Sequence, residues 1–192
     1  MKNLVKIGLS GALVFGVFLS PLPSQIQASQ PTTVQAATKY KFKKGVATIH
    51  DLKIKINAVK FLNPSDTDDH SRIVFEYTIT NKTNKDIDAI DGWQAVFNAY
   101  QKNKNTEGKL EVASTPNGYD EELKNQMQKI NKGGSIKGVS AYNLDNTTTP
   151  VVLMATQGTD GKKLGQKTYK VKQFIEEAPY TTDDSSSDSD TQ

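Results

Sequence analysis

Two histidines and a scatter of carboxylates are the side chains here that could begin acid–base or metal chemistry, since the sequence holds no cysteine. An imidazole, His50 or His70, is the residue type that activates a serine nucleophile. Neither stands in a recognisable frame. Gly138-Val-Ser-Ala-Tyr142 lacks the second glycine that an exposed nucleophile elbow requires, and no Ser-x-x-Lys follows the leader. Glu76 and Glu111 are candidates for the paired carboxylates of glycoside hydrolysis, which must face each other across a cleft; the sequence sets no such separation. Asp66, Asp68, Asp69 and His70 crowd one loop, and Asp86, Asp88 and Asp91 another. Carboxylates at alternate loop positions can converge on calcium, but neither group completes an ion-binding loop, and both read as solvated acidic turns. The glycines of Gly158-Thr-Asp-Gly-Lys-Lys163 stand too close together for a phosphate loop. Trp93, Tyr100, Tyr119 and Tyr142 have faces suited to a sugar or a peptide, although Trp93 reads as the core aromatic of the fold. The expectation is a protein that is not an enzyme, with no catalytic, cofactor-binding or metal-binding residues.

The elements that would position these side chains occupy the middle of the 192 residues. Lys2 and Lys6 precede an apolar run from Ile7 to Leu19, Pro21 and Pro23 break it, and Ala28 follows as a small residue. That is the three-part pattern of a secretory signal peptide over residues 1–28, with a second possible cut after Ala36. Its run is too short for the ~20 residues of a membrane-spanning helix. Residues 29–39, rich in Ser, Gln, Pro, Thr and Ala, read as a flexible linker. Residues 177–192 read as a disordered acidic Ser/Asp tail. With no cysteine, disulfides, thiolate zinc and a lipidated anchor are excluded, so the domain must be held by packing and sheet hydrogen bonds.

Between the tails, residues 40–176 show period-2 alternation. Ile73, Phe75, Tyr77 and Ile79 share one face; Arg72, Glu76, Thr78 and Thr80 share the wet one. Leu52, Ile54 and Ile56 give way to Val59 and Phe61, a change of phase that requires a bulge near Ala58. Trp93–Gln101, Ser135–Leu144, Pro150–Thr156, Gln166–Phe174 and a short Val46–Ile49 segment read as further strands. Asn63-Pro64-Ser65-Asp66, Asn81–Lys85 and Asp160-Gly161 are the turns. One helix is expected, with Tyr119, Leu123, Met127 and Ile130 on its buried face and Gly133 stopping it. The fold class is all-β: an immunoglobulin-like antiparallel β-sandwich with one short helix.

The stretches Ile54–Phe61, Ile73–Thr83 and Ala95–Gln101, and the Gly133-Gly134-Ser135 turn leading into Val139–Leu144, carry a resemblance. They resemble a family of extracellular immunoglobulin-like domains of unknown function, found in secreted proteins and lipoproteins of Gram-positive bacteria. The resemblance implies no assigned activity, so no site residue is carried over. The sequence departs from the lipoprotein members in lacking the anchoring cysteine.

Setting aside Lys2 and Lys6 of the leader and four tail aspartates leaves 22 basic and 17 acidic side chains of the 24 and 21, an excess of +5. Such charge biases a domain toward an anionic wall polymer or membrane surface. The basic residues are too scattered for nucleic acid. The expected product is a secreted, non-catalytic interaction module, a monomer without a stable membrane anchor after cleavage, either free outside the cell or loosely wall-associated. Its partner would be an unknown extracellular protein or a cell-wall polymer, with no nucleic acid and no cofactor. Two other readings remain: a hydrolase built on His50, His70, Glu76 or Glu111, and an inhibitor or immunity-type protein presenting the Asn63–His70 loop.

Overall fold

Ten strands and two helices follow one another in a computed structural model that describes residues 40–66 and 68–179. They are β1 (Lys41–Lys43), β2 (Val46–Thr48), β3 (Leu52–Leu62), β4 (Arg72–Asn81), α1 (Ala89–Val96) and β5 (Phe97–Lys102). β6 (Glu107–Lys109), β7 (Val112–Ala113), α2 (Asp120–Gln126), β8 (Ser135–Asn143), β9 (Val151–Thr156) and β10 (Lys163–Tyr169) complete the chain. One antiparallel sheet runs β1-β2-β3-β4-β8-β7, the other β10-β9-β5-β6. The fold is a β-sandwich. The expected leader (1–28), the expected linker (29–39) and residues 180–192 of the expected tail lie outside the described residues.

Alternation builds the core as the sequence indicates. Ile73, Phe75, Tyr77 and Ile79 of β4 bury their side chains against Phe97, Ala99, Leu153 and Ala155 of the opposite sheet. The β3–β4 register slips between Ile56 and Ala58, which is the bulge that returns Phe61 to the interior. The β9–β10 hairpin turns at Gly158–Gly161, with Asp160 at φ 57° and Gly158 at φ 79°.

Four expectations need correction. Trp93 lies on a helix, α1, rather than at the start of a strand, so there are two helices. The Asp88 carboxylate caps α1 by accepting the Asp91 N–H at 2.8 Å, and Ala89, Gly92, Trp93 and Val96 share its buried face. That i, i+3, i+4, i+7 spacing was in the sequence; the coincident alternation of Trp93, Ala95 and Phe97 concealed it. Second, α2 buries Gln126, while Leu123 and Met127 stand 44% and 70% exposed. Ile130 is buried, but beyond the helix. Third, the last strand is Lys163–Tyr169, shifted toward the N-terminus of the expected segment. Fourth, Arg72 is not on a wet face but 1% exposed.

The buried Gln126 has a structural task. Odd-numbered residues of β8 direct their backbone groups away from β4: the Asn143 N–H reaches Glu111 O, and Ala141 pairs with Ala113 of β7. β7 is only two residues long, and the Gln126 side-chain oxygen accepts the Val139 N–H where β7 has stopped. α2 thus covers a sheet edge that would otherwise be open.

Gly138 sits opposite Tyr77 in the ladder, and a β-carbon there would lie 2.6 Å from the tyrosine ring. The ring cannot retreat easily, because its hydroxyl donates to Ala89 O at 2.9 Å and its face stacks on Trp93 at 4.5 Å. Gly138→Ala is therefore expected to destabilise the domain by about 1–3 kcal/mol, the usual cost of overpacking. A urea titration checks this; an unchanged midpoint would mean that Tyr77 is freer than its contacts indicate.

Candidate functional site

The residues singled out for chemistry do not converge. His50 is exposed and its Nδ1 lies 2.6 Å from Asp51, which also accepts from Lys85 at 2.8 Å. The bonds from Lys85, then His50, hold the Asp51 carboxyl below the usual carboxylate range. His70 lies in a different loop, with Nδ1 2.7 Å from Asp69 and 3.3 Å from Asp68. Asp68, Asp69 and His70 bring their ligand atoms together, but Asp68 already faces Arg72 at 3.6 Å and accepts the His70 N–H. The second acidic group disperses: Asp86 pairs with Lys129, Asp88 caps α1, and Asp91 lies in that helix's first turn.

Glu76 and Glu111 are likewise apart. Glu76 pairs with Val139, whereas Glu111 bonds to Asn143, four residues further along β8. Glu76 instead forms a triad on the outer face of its sheet. Lys60 Nζ lies 2.6 Å from its carboxylate, and the Tyr119 hydroxyl donates to the same oxygen at 2.7 Å. Burial alone would raise the Glu76 pKa; the Lys60 and Tyr119 bonds outweigh it and hold the carboxyl low. The same contacts raise Lys60, with Glu76 the largest cause, and burial raises Tyr119. Each group is driven further into its neutral-pH form, the reverse of what proton transfer near pH 7 needs. The triad pins the segment before α2 to the sheet.

The four aromatic candidates also separate. Trp93 and Tyr142 are core residues, 1% and 2% exposed, and the Trp93 Nε1–H donates to the Tyr142 hydroxyl at 2.8 Å. Tyr119 belongs to the triad, and Tyr100 lies on the outer face of β5.

A concave feature lies elsewhere, beside the bulge of β3. A groove of about 550 Å³ runs between the bulged half of β3 and the end of β10. Ile56, Val59 and Phe61 line it from β3, and Lys167, Tyr169, Lys170 and Lys172 from β10 and the residues after it. Lys167 Nζ lies 4.8 Å from the centre of the Tyr169 ring. Tyr169 packs edge-on against Phe75 at 5.3 Å, and burial pushes its hydroxyl up to about 12. Past the groove, Phe174 packs on Phe61 at 5.8 Å and Ile175 forms a parallel bridge to Leu62, so the C-terminal segment crosses from one sheet to the other.

The lysines beside this groove belong to a larger charge division. Residues 41–59 and 161–172 carry ten lysines against the single carboxylate of Asp51, while residues 60–160 carry 11 basic and 14 acidic side chains. All ten lysines are exposed. Contact between β1 and β10 brings the two segments together; a β-carbon on Gly165 of β10 would lie 2.7 Å from Phe42 O of β1. The net charge of +3 hid this division because the acidic excess of residues 60–160 and the six carboxylates of residues 173–192 offset it; adjacency of β1 and β10 is what reveals it.

Comparison with known proteins places these features in context. A family model described as a domain of unknown function (DUF5067) matches residues 27–157. The structure is similar to that of a candidate lipoprotein from Staphylococcus aureus, at 21% identity and a TM-score of 0.64, over 71% of this chain and 95% of the other. It is also similar to the NMR structure of a protein from Enterococcus faecalis, at 15% identity and a TM-score of 0.56, over 70% and 95%. No curated protein matches the sequence.

Proposed function

Because this chain belongs to the DUF5067 family of domains of unknown function, we propose that it acts as an exported, non-catalytic binding module that holds an anionic partner outside the cell. The observation carrying this reading is that Lys167, Lys170 and Lys172, all exposed, line the groove between β3 and β10, within two adjoining segments that carry ten exposed lysines and one carboxylate. A concentrated field of one sign raises the local concentration of counter-charged ligand and weakens steeply with salt. The leader supplies the compartment, and the dispersal of His50, His70, Glu76 and Glu111 supports a binding rather than a hydrolytic role.

Labelled inorganic polyphosphate serves as the probe, with fluorescence anisotropy as the readout. Lys167→Ala/Lys170→Ala/Lys172→Ala is expected to weaken binding at least tenfold, whereas Lys102→Ala/Lys104→Ala/Lys109→Ala changes it less than twofold. Equal losses in the two triple variants would remove the groove from the reading.

A further inference from the structure

We propose that the groove is a strand-addition site, and that its ligand is an extended acidic segment of an extracellular protein partner whose backbone pairs with the open edge of β3. The inference rests on the binding-module reading and specifies its ligand.

The backbone of β3 supplies the template. Before the bulge, the Ile56 N–H reaches outward to Gly45 O, continuing the β2 pairing. After it, Phe61 O accepts the Ile175 N–H and the Asn63 N–H donates to Ile175 O, so odd-numbered residues now face the outer edge. Val59 falls in that phase. Its N–H and C=O point away from β4, between the stretch covered by β2 and the stretch covered by Ile175, and meet no backbone partner among the described residues. On the facing wall the same alternation applies to β10. Leu110 bonds to Ala99 O, which leaves Tyr100 to pair with Val152, and Leu153 and Val151 to pair with Lys167 and Tyr169. Thr168 is thereby left with its backbone groups on the outer edge. The groove is walled by one unpaired strand edge from each sheet.

Unpaired edges recruit strands. This chain already does so on the same edge, where its own Ile175 adds in parallel to Phe61–Asn63 with Phe174 seated on Phe61. The groove continues that edge with an apolar lining for alternate side chains, from Ile56, Val59 and Tyr169. Lys167, Lys170 and Lys172 select acidic residues at the intervening positions. An anionic polymer lacking amides would satisfy the lysines but not the Val59 and Thr168 backbone groups, which is why a polypeptide is favoured.

The test titrates the purified protein with three nine-residue probes: alternating Asp and Val, the same peptide N-methylated at alternate residues, and alternating Lys and Val. The Asp/Val peptide is expected to bind at least tenfold more tightly than either of the others. Val59→Pro removes the outward N–H together with the lining side chain, a change tolerated at strand edges, and should weaken the Asp/Val peptide at least tenfold, against less than threefold for Val59→Ala, which keeps the N–H, with polyphosphate binding within twofold in both. Should Val59→Pro fail to fold, the N-methylated peptide decides alone. Equal binding of the methylated and unmethylated peptides overturns strand addition, and intact polyphosphate binding would then leave the broader reading standing. If replacing Asp183, Asp184, Asp188 and Asp190 by Asn tightens the Asp/Val peptide tenfold, the chain's own tail is the occupant, and the partner inference fails.

Discussion

Trp93→Ala is expected to lower the stability of the domain by about 3–5 kcal/mol, the cost of truncating a buried large aromatic, and so to leave much of the protein unfolded at moderate urea. Trp93 stands at the hub of the core. Its ring stacks on Tyr77 at 4.5 Å, meets Phe97 at 4.5 Å and lies 5.5 Å from Phe75, joining α1 to both sheets. Truncation opens a cavity that three neighbouring rings cannot collapse into, and it takes away the donor held by the Tyr142 hydroxyl at 2.8 Å. Trp93→Phe keeps the ring contacts and loses the N–H, so a smaller cost of about 1–2 kcal/mol is expected. Small domains have only about 5–15 kcal/mol in reserve, and no disulfide supplements it here. Since Trp93 is the sole tryptophan, its emission reports wild-type unfolding directly, and circular dichroism follows the variants. An alanine variant within 0.5 kcal/mol of wild type would show that the ring is not central.

The second large effect concerns the buried ion pair at the C-terminal end of the fold. Arg72 and Glu177 are 1% and 5% exposed at their side chains, and the guanidinium Nη2 donates to the Glu177 carboxylate. Asn117 N–H donates to the other oxygen of Glu177 at 2.6 Å. The pair ties the last described segment to β4 and to the loop before α2. Removing one partner of such a pair strands the other in low dielectric, typically at about 3–5 kcal/mol, and Arg72→Met should fall in that range. Burial alone would raise the Glu177 pKa, but the Asn117 N–H and the Arg72 and Ser65 bonds outweigh it and leave the carboxyl below its ordinary 4.5. A depressed folded-state pKa gives stability that is complete above the unfolded value and is lost as pH falls through the folded one. The wild type should therefore lose stability steadily below about pH 4.5, while Glu177→Gln starts lower at pH 7 and declines less over that window. Urea midpoints measured from pH 7 to pH 3 check this, and parallel curves for the two proteins would show that Glu177 is not held by the pair.

Much of the architecture was legible residue by residue. The period-2 pattern of β4, the phase change near Ala58, the Asp160-Gly161 turn and the core position of Trp93 are local properties of neighbouring side chains. α1 was readable in principle from Asp88 and the Ala89–Val96 spacing, but two periodicities overlapped in eight residues. The inward turn of Gln126 was not readable, because a polar side chain on a short helix is buried only when a partner elsewhere, here the Val139 N–H, needs it. The same holds for Arg72, whose position on the wet side of the alternation is reversed by Glu177, 105 residues later.

The sequence by itself determined a thiol-free domain with strand-forming alternation, a single core tryptophan, and a leader pattern pointing to export. Tertiary structure alone decided that the lysine-bearing segments 41–55 and 162–172 adjoin through β1 and β10, and that a groove opens between β3 and β10. The reason is physical: alternation and turn chemistry act between residues a few positions apart, whereas the pairing of β10 with β9 brings residues more than a hundred positions distant beside β1 and β3. Charge and unpaired backbone on a surface depend on that neighbourhood.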